Sequence, residues 1–156
     1  MKTLSLFAAT GLISASVVAC GKPNESAQVD LNTLINVCKA SIHKSIGAST
    51  PADQMESSLS GGLVDVAYTR DDGKDFKYQC KYYPITATTG RVVWRGVDIF
   101  GDGQGPGVWR EREYDPIINY WVTGDSVNKE KITLQQVETG ADKKPTGGLS
   151  VVKYEF

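Results

Sequence analysis

Seven residues, Phe76-Lys77-Tyr78-Gln79-Cys80-Lys81-Tyr82, alternate large apolar with polar side chains at a period of two, which marks a β-strand with one buried face. Side chains at i and i+2 share a face, so Phe76, Tyr78, Cys80 and Tyr82 turn to the core while Lys77, Gln79 and Lys81 turn away. A cysteine on the inner face of a central strand restricts the chain further. The cysteine that can reach it inside a folded body is Cys38, which lies in the one strongly helical stretch. The two patterns together predict a disulfide between helix and sheet.

The helical stretch is legible by itself. Leu31, Leu34, Ile35, Cys38, Ile42 and Ile46 form one stripe at helical spacing. Asp30 is a natural N-cap, and Gly47, just past the stripe, a natural stop. The spacing predicts a helix from Asp30 to Ile46 with Cys38 in the middle of its apolar face. In the chain-entropy model, closing the loop from Cys38 to Cys80 contributes about 4 kcal/mol.

Other strands follow from alternation and turn chemistry. Met55–Leu59 and Leu63–Arg70 flank Gly61-Gly62, a two-residue hairpin connection. Asp71-Asp72-Gly73-Lys74 leads into the central strand, and Thr88-Thr89-Gly90 separates it from a strand at Arg91–Arg95. Ile117–Thr123, Lys131–Val137 and Leu149–Phe156 are further strands, and Val108-Trp109-Arg110 pairs briefly at an edge. Thr50-Pro51-Ala52-Asp53 suits one helical turn capped by Thr50. The glycine-rich join from Thr139 to Gly148 leaves open whether the last strand belongs to the same sheet. The fold class read from this is α+β: one N-terminal helix packed on an antiparallel β-sheet of five or more strands. A chain of 156 residues accommodates one such domain.

Ahead of the domain, Lys2 is followed by apolar and small residues from Leu4 to Ala19, with no acid before Glu25, the layout of a secretory signal. The stretch is shorter than the roughly 20 apolar residues of a spanning helix, and it ends in Val17-Val18-Ala19-Cys20. That ending resembles the lipobox of bacterial lipoprotein precursors, with Val where Leu is commoner. The resemblance implies cleavage before Cys20, lipidation of its sulfur, and acylation of the new amino group. Residues 1–19 are then a lipoprotein signal peptide, 20–29 the lipidated cysteine with a polar tether, and 30–156 a single α+β domain. The alternative is an ordinary secreted protein cut nearby with Cys20 a spare thiol. Three cysteines in the chain favour lipidation, since removing Cys20 leaves the even pair Cys38 and Cys80 for an oxidising compartment. Several acyl chains anchor a protein stably to its membrane. Gly21, where an aspartate would favour inner-membrane retention in that family, implies the outer membrane facing the periplasm.

For function the sequence excludes more than it assigns. Formal net charge is -1, with no basic run to follow a phosphate backbone, so nucleic acid is not expected as a partner. No cofactor, metal site or catalytic residue is expected. His43, the single histidine, projects to the side of the apolar stripe beside Lys39 and Lys44, a solvated flank. Asp98, Asp102 and Gly103 suggest a calcium loop, but Phe100 occupies a ligand slot, and a glycine-rich connection explains the stretch better. No Lys-Ser or Lys-Thr follows these glycines to make a phosphate cradle. Trp94-Arg95, Trp109-Arg110 and Trp121 concentrate tryptophan and arginine in the sheet, and such residues dominate the centres of interfaces. Trp109, Arg110, Arg112 and Tyr114 are therefore the expected recognition surface, against the plainer reading in which Trp94 and Trp121 are core with arginines over their edges. The domain resembles in outline small bacterial envelope and prophage-encoded lipoproteins, a resemblance that implies no activity. The expected function is a membrane-anchored lipoprotein serving as a non-enzymatic binding or inhibitory module. Its partner would be an envelope protein such as a cell-wall hydrolase or a phage component. A structural role in an envelope assembly is the alternative, and a hydrolase built on His43 comes third.

Overall fold

The alternating stretch is the third strand of a seven-stranded antiparallel sheet. In the computed structural model, residues 29–99, 105–112, 115–124, 130–139 and 145–156 are described; the signal, Cys20 and most of the tether lie outside them. A helix, α1 (Leu31–Ile46), precedes a short 3-10 turn (Ala52–Gln54) and the strands β1 (Glu56–Ser60), β2 (Leu63–Thr69), β3 (Asp75–Pro84), β4 (Thr89–Gly96), β5 (Ile117–Thr123), β6 (Lys131–Thr139) and β7 (Pro145–Glu155). Spatial order equals chain order, each strand antiparallel to the next. Connections of two to seven residues join the consecutive antiparallel strands of this meander, except between β4 and β5, where the chain runs through residues 97–116.

Local chemistry sets the elements where the pattern placed them. The Asp30 carboxylate accepts the Thr33 N–H at 3.2 Å, and Gly47 ends α1 in the left-handed conformation at φ 62°. Gly61 and Gly62 both have positive φ between β1 and β2, which a two-residue hairpin with this twist demands. At the 3-10 turn the expectation fails in detail. Pro51, not Thr50, occupies the N-cap position, and no side chain caps the turn. Extended backbone at Pro51 (ψ 144°) starts the turn one residue later, and the Thr50 hydroxyl donates instead to the Thr69 carbonyl. The final strand also starts earlier than its apolar residues do, at Pro145, and it joins the main sheet against β6.

Register divides the sheet into two faces. Val64, Cys80 and Trp94 lie across from one another on β2, β3 and β4, as do Ile118 with Gln136 and Tyr120 with Leu134 on β5 and β6. This inner face receives α1, so that Val37, Cys38 and Ile42 pack with Val64, Val66, Tyr78, Cys80, Val92, Ile118, Tyr120, Ile132 and Leu134 in one buried cluster. The Cys38–Cys80 disulfide joins the two layers, with Cα atoms 5.9 Å apart and both residues fully buried. Polar contacts fix the helix along its length. Thr33 and Asn36 donate to the Glu130 carboxylate, Asn36 at 2.8 Å. The Tyr82 hydroxyl donates to the Leu34 carbonyl, and burial pushes that hydroxyl's pKa well above its ordinary value.

One glycine is required by close approach. A Cβ on Gly90 would stand 2.7 Å from the Tyr83 carbonyl oxygen, 2.9 Å from Pro84 Cα and 2.7 Å from the Tyr120 hydroxyl. Two of these obstacles are backbone, which a side-chain rotation cannot relieve. Gly90→Ala is expected to lower stability by about 1–3 kcal/mol, the usual cost of overpacking, read as a shift of the urea midpoint without a change in slope.

Candidate binding surface on the outer sheet face

No described helix covers the face of the sheet opposite α1. Asp65, Lys77, Gln79, Lys81, Tyr83, Arg91 and Arg95 project there from β2, β3 and β4, since they alternate with the core residues. The segment after the glycine-rich loop lies against this region. The Gly107 N–H donates to the Gly96 carbonyl at 2.8 Å and the Arg110 N–H to the Trp94 carbonyl at 2.9 Å. These bonds occupy the half of β4 that β5 leaves free, because β5 pairs only with Thr89 to Val92. The brief pairing expected for Val108-Trp109-Arg110 thus occurs, but against β4 inside the sheet rather than at its edge.

An extended segment alternates its side chains, and that divides the expected recognition surface. Trp109 turns to the outer face, where Arg95 stands 4.5 Å and Lys81 4.7 Å from its ring centre. Arg95 is held in place by two hydrogen bonds from its guanidinium to Gln79 Oε1, at 2.9 and 2.7 Å. Glu111 follows Trp109 to this side, pairing with Lys81 at 2.9 Å and accepting the Tyr83 hydroxyl at 3.1 Å. The hydrogen bond from Lys81 holds the Glu111 carboxyl below its ordinary range. Val93, on the outer face by register, is nonetheless buried, and its neighbours on that face, Lys81 and Arg95, both meet the Trp109 ring.

Arg110 turns the opposite way, its guanidinium 5.5 Å from the ring centre of Trp94 on the inner face. The Arg112 N–H donates to Asp115 Oδ2 at 2.9 Å, and Asp115 Oδ1 lies 3.8 Å from Arg110. Tyr114 lies outside the described residues. Trp109 and Arg110 therefore lie on different faces of the sheet. Of the other tryptophans, Trp94 packs edge-on to Tyr78 at the rim of the core, whereas Trp121 is 39% exposed on the outer face. The plainer reading holds for Trp94 and fails for Trp121, which alternation places with Ile117 and Asn119, away from Tyr120.

The outer face carries more than these residues. Ile117, Trp121, Leu149 and Val151 are exposed there on β5 and β7, and Tyr83 is 46% exposed on β3. Glu56, Ser58, Asp65, Lys77 and Gln79 line a shallow cleft of about 360 Å³ over β1, β2 and β3. The members that sequence reasoning missed are Lys81, Tyr83, Arg95 and Glu111. For Lys81, Tyr83 and Arg95 the signal is present in the alternation of β3 and β4, which names the outward residues directly, whereas Glu111 lies on neither strand.

His43 is not a solvated flank. Its Nδ1 lies 2.9 Å from the Tyr154 hydroxyl, and the two rings meet edge to face. The helix reaches over to β7 at this point, as the 2.5 Å bond from Lys44 to Ser150 also shows. Asp98 is described, with a buried Oδ1 that has no hydrogen-bond partner among the described residues; Asp102 and Gly103 lie outside them. Among the described residues no three His, Cys, Asp or Glu side chains cluster as metal ligands would, and no helix is long and apolar enough to cross a membrane.

No family model, curated protein or solved structure matches this chain.

Proposed function

We propose that this chain is a lipoprotein of the bacterial envelope, anchored through lipid on Cys20, and that it binds an envelope protein partner through the outer face of its sheet without catalysing a reaction. One observation carries the binding reading: α1 covers one face, while the other presents aromatic and cationic side chains in open positions. Tryptophan, tyrosine and arginine supply most of the energy of protein interfaces. Here Trp109 is prearranged between Lys81 and Arg95, so little side-chain freedom remains to be lost on binding. Val17-Val18-Ala19-Cys20 and the odd cysteine count support the anchor. A tether of about nine residues reaches roughly 30 Å when extended, enough to let the domain turn this face toward a partner near the membrane.

The test is affinity capture from the native envelope with the wild-type chain and with Trp109→Ala and Trp121→Ala. Both variants are expected to remain folded and to capture less of whatever partner the wild type retains, each by about tenfold or more, as loss of an interface anchor produces. Undiminished capture by both variants would contradict the outer-face reading. A partner retained in fixed stoichiometry through β1 or β7 instead would favour a structural role in an envelope assembly.

A further inference from the structure

We propose that the pocket beside Trp94 is a receptor for an arginine side chain of a partner protein, and that the chain's own Arg110, which lines it, covers the Trp94 ring in this conformation. The pocket lies on the helix side of the sheet, so the outer-face reading can fail without affecting it. Its volume is about 240 Å³, and Ser45, Trp94, Arg110, Asp115, Ile118 and Gln136 are among the residues lining it. Pockets for whole small molecules usually have about 300–1,000 Å³; this one suits a single side chain.

Three features make the site attractive to a cation. Asp115 is 4% exposed, and a buried carboxylate is costly unless it is paired. Its Oδ2 accepts the Arg112 N–H, but the Arg110 guanidinium stands 3.8 Å from Oδ1, beyond hydrogen-bond range. Among the described residues, acceptor capacity therefore remains at Oδ1. The Trp94 ring offers a π face already used by Arg110 at 5.5 Å. Ser45 lies in the last turn of α1, where helix carbonyls carry partial negative charge, and its buried Oγ has no hydrogen-bond partner among the described residues. Lys44, on the same turn, is bonded to Ser150.

A guanidinium fits these features better than an ammonium, because it is planar, stacks on tryptophan and pairs with a carboxylate through two parallel hydrogen bonds. Arg110 makes the stack without the close pair, and its side chain is 47% exposed. An incoming arginine that achieved both contacts would displace it toward solvent.

The test uses Arg110→Ala in the full chain, titrated with Nα-acetyl-L-arginine amide and followed by NMR through the backbone N–H groups of Ile118 and Gln136, which line the pocket in every variant. Arg110 is half exposed, so the variant keeps its fold, which circular dichroism checks. Saturable binding is expected, about tenfold tighter than in wild type if Arg110 covers the Trp94 ring about nine-tenths of the time. Adding Asp115→Asn, or Trp94→Leu should that double variant not fold, is expected to abolish it. The corresponding lysine amide is expected to bind more weakly than the arginine amide. No saturable binding to Arg110→Ala, or equal binding once Asp115 or Trp94 has been replaced, would overturn the proposal.

Discussion

Reducing the Cys38–Cys80 disulfide, or replacing Cys38 by Ala, is expected to lower the unfolding free energy by about 2–5 kcal/mol. The bridge closes a loop of sequence separation 42, for which the chain-entropy model gives about 4 kcal/mol. It also joins the only helix described to the middle of the sheet. The remaining fixings of α1 are its apolar stripe and a few polar contacts, from Thr33 and Asn36 to Glu130, Tyr82 to Leu34, and His43 and Lys44 to β7. Release of the bridge should therefore loosen the helix before the sheet. Urea unfolding with and without reductant reads the loss, and hydrogen exchange shows whether α1 amides lose protection first. An unchanged midpoint after complete reduction would mean that packing alone holds helix to sheet.

Tyr120 is expected to show the largest effect of a single core side chain. It is fully buried, meets Tyr82 edge to face, and lies opposite Leu134 on β6. Tyr120→Ala should cost about 3–5 kcal/mol, the range for removing a large aromatic ring from a core. Tyr120→Phe should behave in the opposite sense. The hydroxyl is buried and has no hydrogen-bond partner among the described residues, and burial raises its pKa. Removing a polar group in that condition should be neutral or should raise stability by about 1 kcal/mol. Denaturation of both variants gives the comparison. A loss of more than about 1 kcal/mol in Tyr120→Phe would show that the hydroxyl is bonded after all.

What the sequence made legible is what local periodicity controls. A period of two along Phe76–Tyr82 and a period of 3.6 along Leu31–Ile46 were enough to aim two sulfurs at a common core, and Cys38 and Cys80 are bonded there. The same signals located every strand within a few residues. β7 was the hardest, because Pro145-Thr-Gly-Gly looks like loop and pairs only once β6 is beside it. Contacts across long separations left no local trace. Nothing near His43 announces Tyr154, and nothing near Thr33 announces Glu130. The recognition surface illustrates a different failure, since the relevant rule was available. Grouping Trp109 with Arg110 treated neighbours in sequence as neighbours in space, whereas extended backbone sends them to opposite faces.

The proposed envelope anchoring depends on Cys20, because lipidation there would set the compartment, hold the domain at a membrane and leave Cys38 and Cys80 as the remaining pair. Intact-mass and peptide spectrometry of the chain extracted from the envelope tests it directly. The expected result is an N-terminus at Cys20 carrying diacylglycerol, with or without a further acyl chain on its amino group. An unmodified N-terminus beyond Gly21, or a soluble chain with a free thiol at Cys20, would contradict it.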